Sequence, residues 1–368
     1  MDPSADGHAD IGIPLPRDSD RGEVKFIRKL GVADQRSAQP KLGLALGSGS
    51  ARAWAHVGVI RALAEQGITP DCVSGCSMGA MVGAAFASGC IDKMETWARS
   101  LDRMRIVKLL DIGWPGSLVK GDRLLELFQG QFANGDFSDL LLPFAAVATD
   151  LASGQEVWLQ EGSVADAVRA SCTIPGLFEP VLHQGRYLVD GALVNPVPVS
   201  LCRALGADIV IAVNLGLAVS GQSARLNSGK PRTPPLKQRL LNALIPRHIE
   251  SPAVPVDCDV QPSLLETFLG AIDIMQDRIA QSHLIAQPAD VILTPQLAQI
   301  GMFEFHRAAQ SIDEGYEAVE RMLPEIREAL AVSRQPLTMS ACHGDDHGKS
   351  GPGSLATPLF RRKNHESA

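Results

Sequence analysis

Asp71-Cys72-Val73-Ser74-Gly75-Cys76-Ser77-Met78-Gly79, continued by Ala80-Met81-Val82-Gly83-Ala84-Ala85-Phe86-Ala87, is the stretch on which the fold turns. Its first four residues are a short run closed by glycine, as a buried strand entering a turn is. The small residues from Ala80 to Ala87 predict a helix slim enough to pack tightly on a sheet. Between the two, Gly75-x-Ser77-x-Gly79 occupies the strand-to-helix turn. A nucleophile elbow needs that context: the turn is sharp and strained, its glycines avoid clashes, and the serine Oγ is held out at the helix N-terminus. Ser77 is therefore the candidate nucleophile, with Gly75 and Gly79 as its supports. A glycine-lined turn carrying an idle serine is the plainer alternative.

Upstream, Leu42-Gly43-Leu44-Ala45-Leu46 is a second apolar run, and it ends in the small-residue loop Gly47-Ser48-Gly49-Ser50-Ala51-Arg52. A helix follows, with Val57, Ile60 and Ala64 on one stripe, and Gly67 suits its C-terminal stop. The order β-α-β-α predicts an α/β domain with a largely parallel sheet. The loop is not a dinucleotide fingerprint, which needs glycine where Arg52 stands, nor a P-loop, which needs lysine before Ser or Thr. It does open a helix, where free backbone N–H groups and the helix dipole favour negative charge such as the oxyanion of acyl transfer. Only 28 residues separate Gly49 from Ser77. One β-α unit thus lies between the two turns, which places them on the same edge of adjacent strands.

Downstream, Leu141–Asp150 and Gln155–Leu159 flank Ser153-Gly154 and read as a strand pair with a turn. Tyr187-Leu188-Val189 reads as a strand ending at Asp190-Gly191-Ala192. Pro196 and Pro198 introduce a helix closed by Gly206, and Asp208–Val213 is a further buried strand. An aspartate at a strand end lies where open α/β sheets keep their ligands, and Gly191 lets the backbone turn beside it. By itself Asp190 reads as a turn aspartate; taken with Ser77 it is a candidate base. His183, His248, His283 and His306 are available to a Ser-His-Asp triad, but none stands in a small-residue strand-end loop. His56 reads as a helix residue lining the sheet.

The 368 residues are 45% apolar and 20% charged, enough for a sizeable core without staples. A net charge of −7 and a pI of 5.7 argue against a nucleic-acid binder. Seven cysteines, an odd number without a C-x-x-C pair, read as reduced thiols of the cytoplasm. The first twenty residues carry five aspartates and no apolar run of the secretory type. Residues 1–40 are expected to be a flexible leader, 41–330 one domain with a Pro-rich insertion at about 217–262, and 331–368 a disordered tail. Within the insertion Leu236, Leu240, Leu241, Leu244 and Ile245 form a short stripe beside Lys237 and Arg239, a mix suited to peripheral contact with an anionic membrane surface, with a helix packed on its own domain as the plainer alternative. Beyond it, Leu265, Phe268, Ile272, Met275 and Ile279 repeat at helical spacing. Val291–Leu293 is strand-like, and Phe305, Ala309, Ile312, Tyr316, Val319 and Leu323 predict one further helix.

Four motifs in this order resemble the bacterial patatin-like phospholipases: the loop with Arg52, Gly75-Cys76-Ser77-Met78-Gly79, Ala170-Ser171-Cys172-Thr173-Ile174-Pro175-Gly176, and Asp190-Gly191-Ala192 followed by Asn195-Pro196-Val197-Pro198. The resemblance is strong over about 41–215 and weaker to about 330. It implies a three-layer α/β/α fold and a Ser77-Asp190 dyad that cleaves acyl esters of lipids, phospholipid or lysophospholipid, without a catalytic histidine. It also implies an oxyanion site made by Ser48, Gly49, Ser50 and Arg52. No metal and no cofactor are implied, and the expected setting is cytoplasmic or peripheral at the inner membrane surface. Ser48, Ser50 and Ala53 depart from the glycines most common in that loop. They keep the N–H donor but make any position with positive φ costly. A histidine-triad esterase and a catalytically weak lipid-binding member of the fold are the alternatives.

Overall fold

The computed structural model describes residues 40–109, 128, 130–133, 135–216 and 264–332. Apart from a few marginal residues, the expected leader, insertion and tail, the stripe from Leu236 to Ile245, and His248 lie outside these. In chain order the elements begin with β1 (Leu42–Leu46), α1 (Ala55–Glu65), β2 (Cys72–Cys76), α2 (Met78–Ala87), α3 (Ile91–Arg99) and α4 (Arg103–Leu109). Next come β3 (Phe144–Asp150), β4 (Glu156–Leu159), α5 (Val164–Ser171), β5 (Val181–His183), β6 (Arg186–Asp190), α6 (Val199–Ala204) and β7 (Ile209–Val213). After residue 263 follow α7 (Leu264–Ala286), β8 (Val291–Leu293), α8 (Ala308–Arg321) and α9 (Leu323–Val332).

Strands β1, β2, β3, β7 and β8 are parallel, in the order β3-β2-β1-β7-β8, while β4, β5 and β6 are antiparallel additions around β3. Every residue of β1, β2, β3 and β7 is buried, as expected for parallel strands covered on both faces. Leu44 and Leu46 point into the larger core with Ile60, Met81, Val168 and Ile312 from α1, α2, α5 and α8. Ala45 points the other way, toward Val199 and Cys202 of α6 and Ala280 of α7. This is the expected three-layer α/β/α architecture with a mostly parallel sheet.

Gly43 lets α6 lie close on the second face: a Cβ there would stand 2.7 Å from Ala207 Cβ and 2.9 Å from Cys202 Cβ. On the first face α1 and α8 cross at Gly58 and Gly315, where an added Cβ would run into the backbone carbonyls of Ile312 and Ala55 respectively. The single helix expected from Phe305 to Leu323 is instead a 3₁₀ turn, Phe305–Arg307, then α8, then a break at Met322 before α9. Pro324 accounts for the break, since it has no N–H to donate to the Glu320 carbonyl four residues back and its ring crowds that carbonyl.

Strand β3 carries the decisive feature of the topology. Its residues 146–149 pair with β4, 144–147 with β2 and 148–150 with β6. A strand has two edges, and both β2 and β6 overlap β4, so β2 and β6 share the opposite edge. β2 runs parallel to β3 and β6 antiparallel, so the two approach head to head, Cys76 opposite Val147 and Asp190 opposite Ala148.

Candidate active site

Ser77 follows the last residue of β2 with φ 54° and ψ −128°, a left-handed conformation that costs a non-glycine residue on the order of 1–3 kcal/mol. The surrounding sequence makes the turn possible. A Cβ on Gly75 would stand 2.5 Å from Ala80 Cα, and one on Gly79 would strike the carbonyls of Leu46 and Gly47. The Ser77 N–H donates to Ser171 Oγ at 2.8 Å, at the C-terminal end of α5, which holds the strained peptide.

Asp190, the last residue of β6, is fully buried. Its backbone is held on both sides: the N–H donates to the Thr173 carbonyl at 2.8 Å, and the Asp190 carbonyl accepts from Thr149 Oγ1 at 2.8 Å. Of its carboxylate oxygens, Oδ1 accepts the Ala192 N–H at 2.8 Å and Oδ2 accepts the Ser77 hydroxyl at 2.6 Å. Burial pushes the Asp190 carboxyl up to about 6, against the opposing pull of the hydrogen bonds from Ser77 and Ala192. Gly191 is required because a Cβ there would collide with the Val147 carbonyl of β3. Burial and the nearby Asp190 charge hold the Cys76 and Cys172 thiols well above their ordinary value. Both therefore stay protonated, although Cys172 is within hydrogen-bond reach of Ser77.

The loop after β1 stands beside the elbow, because β1 and β2 pair with Leu46 opposite Gly75. The Gly47 carbonyl accepts from His56 Nε2 at 2.7 Å, and burial lowers the His56 pKa to about 4, so this ring is neutral with its proton on Nε2. Ser48 is corrected as an oxyanion donor, because its N–H donates to the Pro196 carbonyl at 2.8 Å and is not free. Ser50 adopts φ 50°, the costly conformation expected where serine replaces glycine, and its hydroxyl donates to the Met302 carbonyl at 2.7 Å. The N–H groups of Gly49 and Ser50 have no partner among the described residues. Arg52 does not point a free charge at the loop. Its guanidinium is buried, pairs with Asp273 of α7 at 2.6 Å and reaches the Gly49 carbonyl through Nε at 3.4 Å.

Among the described residues no histidine hydrogen-bonds Ser77 or Asp190. His56 is engaged with Gly47, and His306 accepts from Arg103. His183 lies in β5 and His283 near the end of α7.

The family model described as "Patatin-like phospholipase" matches residues 44–203, a span that holds the loop, Ser77 and Asp190. An "Uncharacterized NTE family protein" of Mycobacterium tuberculosis is 31% identical over 330 aligned residues, which cover 76% of this chain and 90% of that protein. The chain belongs to the patatin-like phospholipase family. Among its patatin-like relatives, "Patatin-like phospholipase domain-containing protein 7" of Rattus norvegicus is 34% identical over 183 residues, 48% of this chain and 14% of that protein. The solved structure of VipD from Legionella pneumophila aligns over 81% of each chain with a TM-score of 0.41 and 15% identity.

In this patatin-like chain three partners of the site carry no local sequence signal of their role. Ser171, Thr149 and Asp273 are ordinary polar residues of α5, β3 and α7. Ser171 stands within the third motif, but only the packing of α5 under the elbow assigns its hydroxyl to the Ser77 N–H. Among the described residues no helix is long and apolar enough to cross a membrane.

Proposed function

We propose that this protein hydrolyses acyl esters of lipids, phospholipid or lysophospholipid, through a dyad of Ser77 and Asp190. Membership of the patatin-like phospholipase family supports lipid acyl hydrolysis in general. The observation that carries the finer reading is the 2.6 Å hydrogen bond from Ser77 Oγ to Asp190 Oδ2. In a histidine triad an imidazole would stand between these groups, with the aspartate on its far side. Here the carboxylate meets the hydroxyl directly.

The reaction follows from that contact. Ser77 Oγ attacks the ester carbonyl as Asp190 Oδ2 takes its proton. The tetrahedral oxyanion is held by the N–H groups of Gly49 and Ser50, the two loop donors with no protein partner among the described residues. Collapse breaks the bond to the alcohol, which leaves with the proton from Asp190. Water then attacks the acyl-serine, gives its proton to Asp190, and the fatty acid departs as the proton returns to Ser77. An ordinary aspartate is a weak base; burial that lifts Asp190 to about 6 brings it closer to the pH at which it works. A substrate of this class is presented by an aggregate, so peripheral contact with a lipid surface belongs to the reading.

A fluorophosphonate ester probe tests the proposal, because it reports an activated serine. Wild type is expected to label and to hydrolyse p-nitrophenyl acyl esters and phospholipid, and Ser77→Ala and Asp190→Asn to do neither. Undiminished hydrolysis by folded Ser77→Ala would overturn it.

A further inference from the structure

Loop 47–52 is built so that most of its polar groups are already spoken for. The Gly47 carbonyl is held by His56, the Ser48 N–H by Pro196, and the Ser50 hydroxyl and Ala51 N–H by Met302. The Gly49–Ser50 peptide is the one whose N–H stays open while its carbonyl is gripped, by the Arg52 N–H at 3.0 Å and Arg52 Nε at 3.4 Å. A trans peptide points its C=O and N–H in opposite directions, and the chain has no cis bond among its described residues. Whatever fixes the Gly49 carbonyl therefore also fixes the direction of the Ser50 N–H. Arg52 does this from a buried position, 4% exposed, where an unpaired guanidinium would be costly. Its counter-charge comes from far along the chain: Asp273 Oδ1, 221 residues on, accepts Arg52 Nη2 at 2.6 Å.

We propose that Asp273 is a positioning residue for the oxyanion loop, acting through Arg52 to hold the Gly49–Ser50 peptide with its N–H presented to the oxyanion. The inference rests on the dyad reading above and extends it to α7. Bringing α7 onto the second face of the sheet is what supplies the carboxylate. Asp277, one turn further along α7, lies beside Asn214 and Gly216, accepts from Gln281 and feels the Arg52 charge without a hydrogen bond to it, so among the described residues Asp273 is the carboxylate that hydrogen-bonds the guanidinium. Without the pair, the guanidinium is free to leave the Gly49 carbonyl, which then keeps only the Arg52 N–H, and the more loosely held peptide can turn its N–H away without changing how the ground-state ester binds.

Steady-state kinetics of Asp273→Asn, Asp273→Glu, Arg52→Gln and the double variant Arg52→Gln/Asp273→Asn test this, with Ser77→Ala alongside. Asp273→Asn is expected to lower kcat by about tenfold to a hundredfold with KM within about twofold, the mark of an interaction realised in the transition state. Fluorophosphonate labelling should slow in proportion, because phosphonylation also builds charge on an oxygen at that site. Asp273→Glu should recover most of the loss. The double variant should be no slower than Arg52→Gln, since Asp273 acts only through Arg52. A purely structural role would instead lower thermal stability, leave the kcat of the folded fraction intact, and make the two substitutions additive. If Ser77→Ala is inert while Asp273→Asn keeps wild-type kcat, the inference falls and the dyad stands; if Ser77→Ala remains active, the dyad reading itself falls.

Discussion

Ser77 Oγ and Asp190 Oδ2 are 2.6 Å apart although 113 residues separate them, because β2 and β6 run toward each other along one edge of β3. Neither strand could deliver its residue alone. β2 ends at Cys76 opposite Val147 and β6 ends at Asp190 opposite Ala148, so consecutive residues of one buried strand set the spacing of the pair.

The pH profile is the first consequence. The proposed base works only as the carboxylate, and burial raises its pKa to about 6. kcat/KM is therefore expected to fall as pH drops through about 6 and to reach a plateau above it. An acid limb near the ordinary aspartate value of about 4 would show that Asp190 is not the titrating group.

The same shift acts on stability. Between the ordinary value of 3.8 and about 6 the folded protein holds a proton that the unfolded chain has lost. The stability contributed by this group is thus present in full below the lower value and is lost as pH rises through the upper one. A shift of this size corresponds to roughly 3 kcal/mol of cost to the folded state above pH 6. Asp190→Asn, whose amide oxygen can still accept the Ala192 N–H, is expected to be inactive yet at least as stable as wild type in urea at pH 8. Marked destabilisation would mean that the buried carboxylate is better compensated than its two hydrogen bonds indicate.

Histidine variants separate the dyad from a triad. His183→Ala, His248→Ala, His283→Ala and His306→Ala are each expected to keep most of the wild-type turnover. His56→Ala is expected to lose both stability and turnover, through the hydrogen bond to Gly47. Loss of turnover in a folded variant of one of the first four would transfer the base to that residue.

Ser50 is expected to tolerate glycine and not valine. Ser50→Gly relieves a φ of 50° and gives up a hydroxyl bond to Met302, two effects of about 1 kcal/mol each that oppose one another. Ser50→Val loses the same bond and places a β-branched residue in the left-handed region. Thermal unfolding should leave the glycine variant near wild type and the valine variant well below it.

At the crossing of α1 and α8, Gly58→Ala would set a Cβ against the Ile312 carbonyl and 2.7 Å from the Tyr316 N. Overpacking against backbone has no side chain to yield, so a loss of about 3 kcal/mol in urea denaturation is expected. An unchanged midpoint would mean that the helices separate at little cost.

What the sequence determined by itself was whatever depends on neighbours along the chain. Apolar runs such as Leu42–Leu46 mark buried strands, the small residues after Ser77 mark a close-packed helix, and Gly75 and Gly79 mark a turn that leaves no room for a Cβ. An α/β domain with a largely parallel sheet and two candidate residues at strand ends follow from these local patterns, while the three layers are implied by the resemblance to a known family. Only the tertiary structure decided what depends on which strands and helices meet. The shared edge of β3 sets Asp190 against Ser77, Pro196 occupies the Ser48 N–H, and Ser171 takes the Ser77 N–H. Arg52 finds its counter-charge in Asp273, 221 residues away. The Ser77–Asp190 pair is implied by the resemblance of the motifs, but no local pattern encodes the other pairings, because a buried hydrogen bond or ion pair is selected by the packing of elements distant in sequence, and the residue types that make it are common everywhere in the chain.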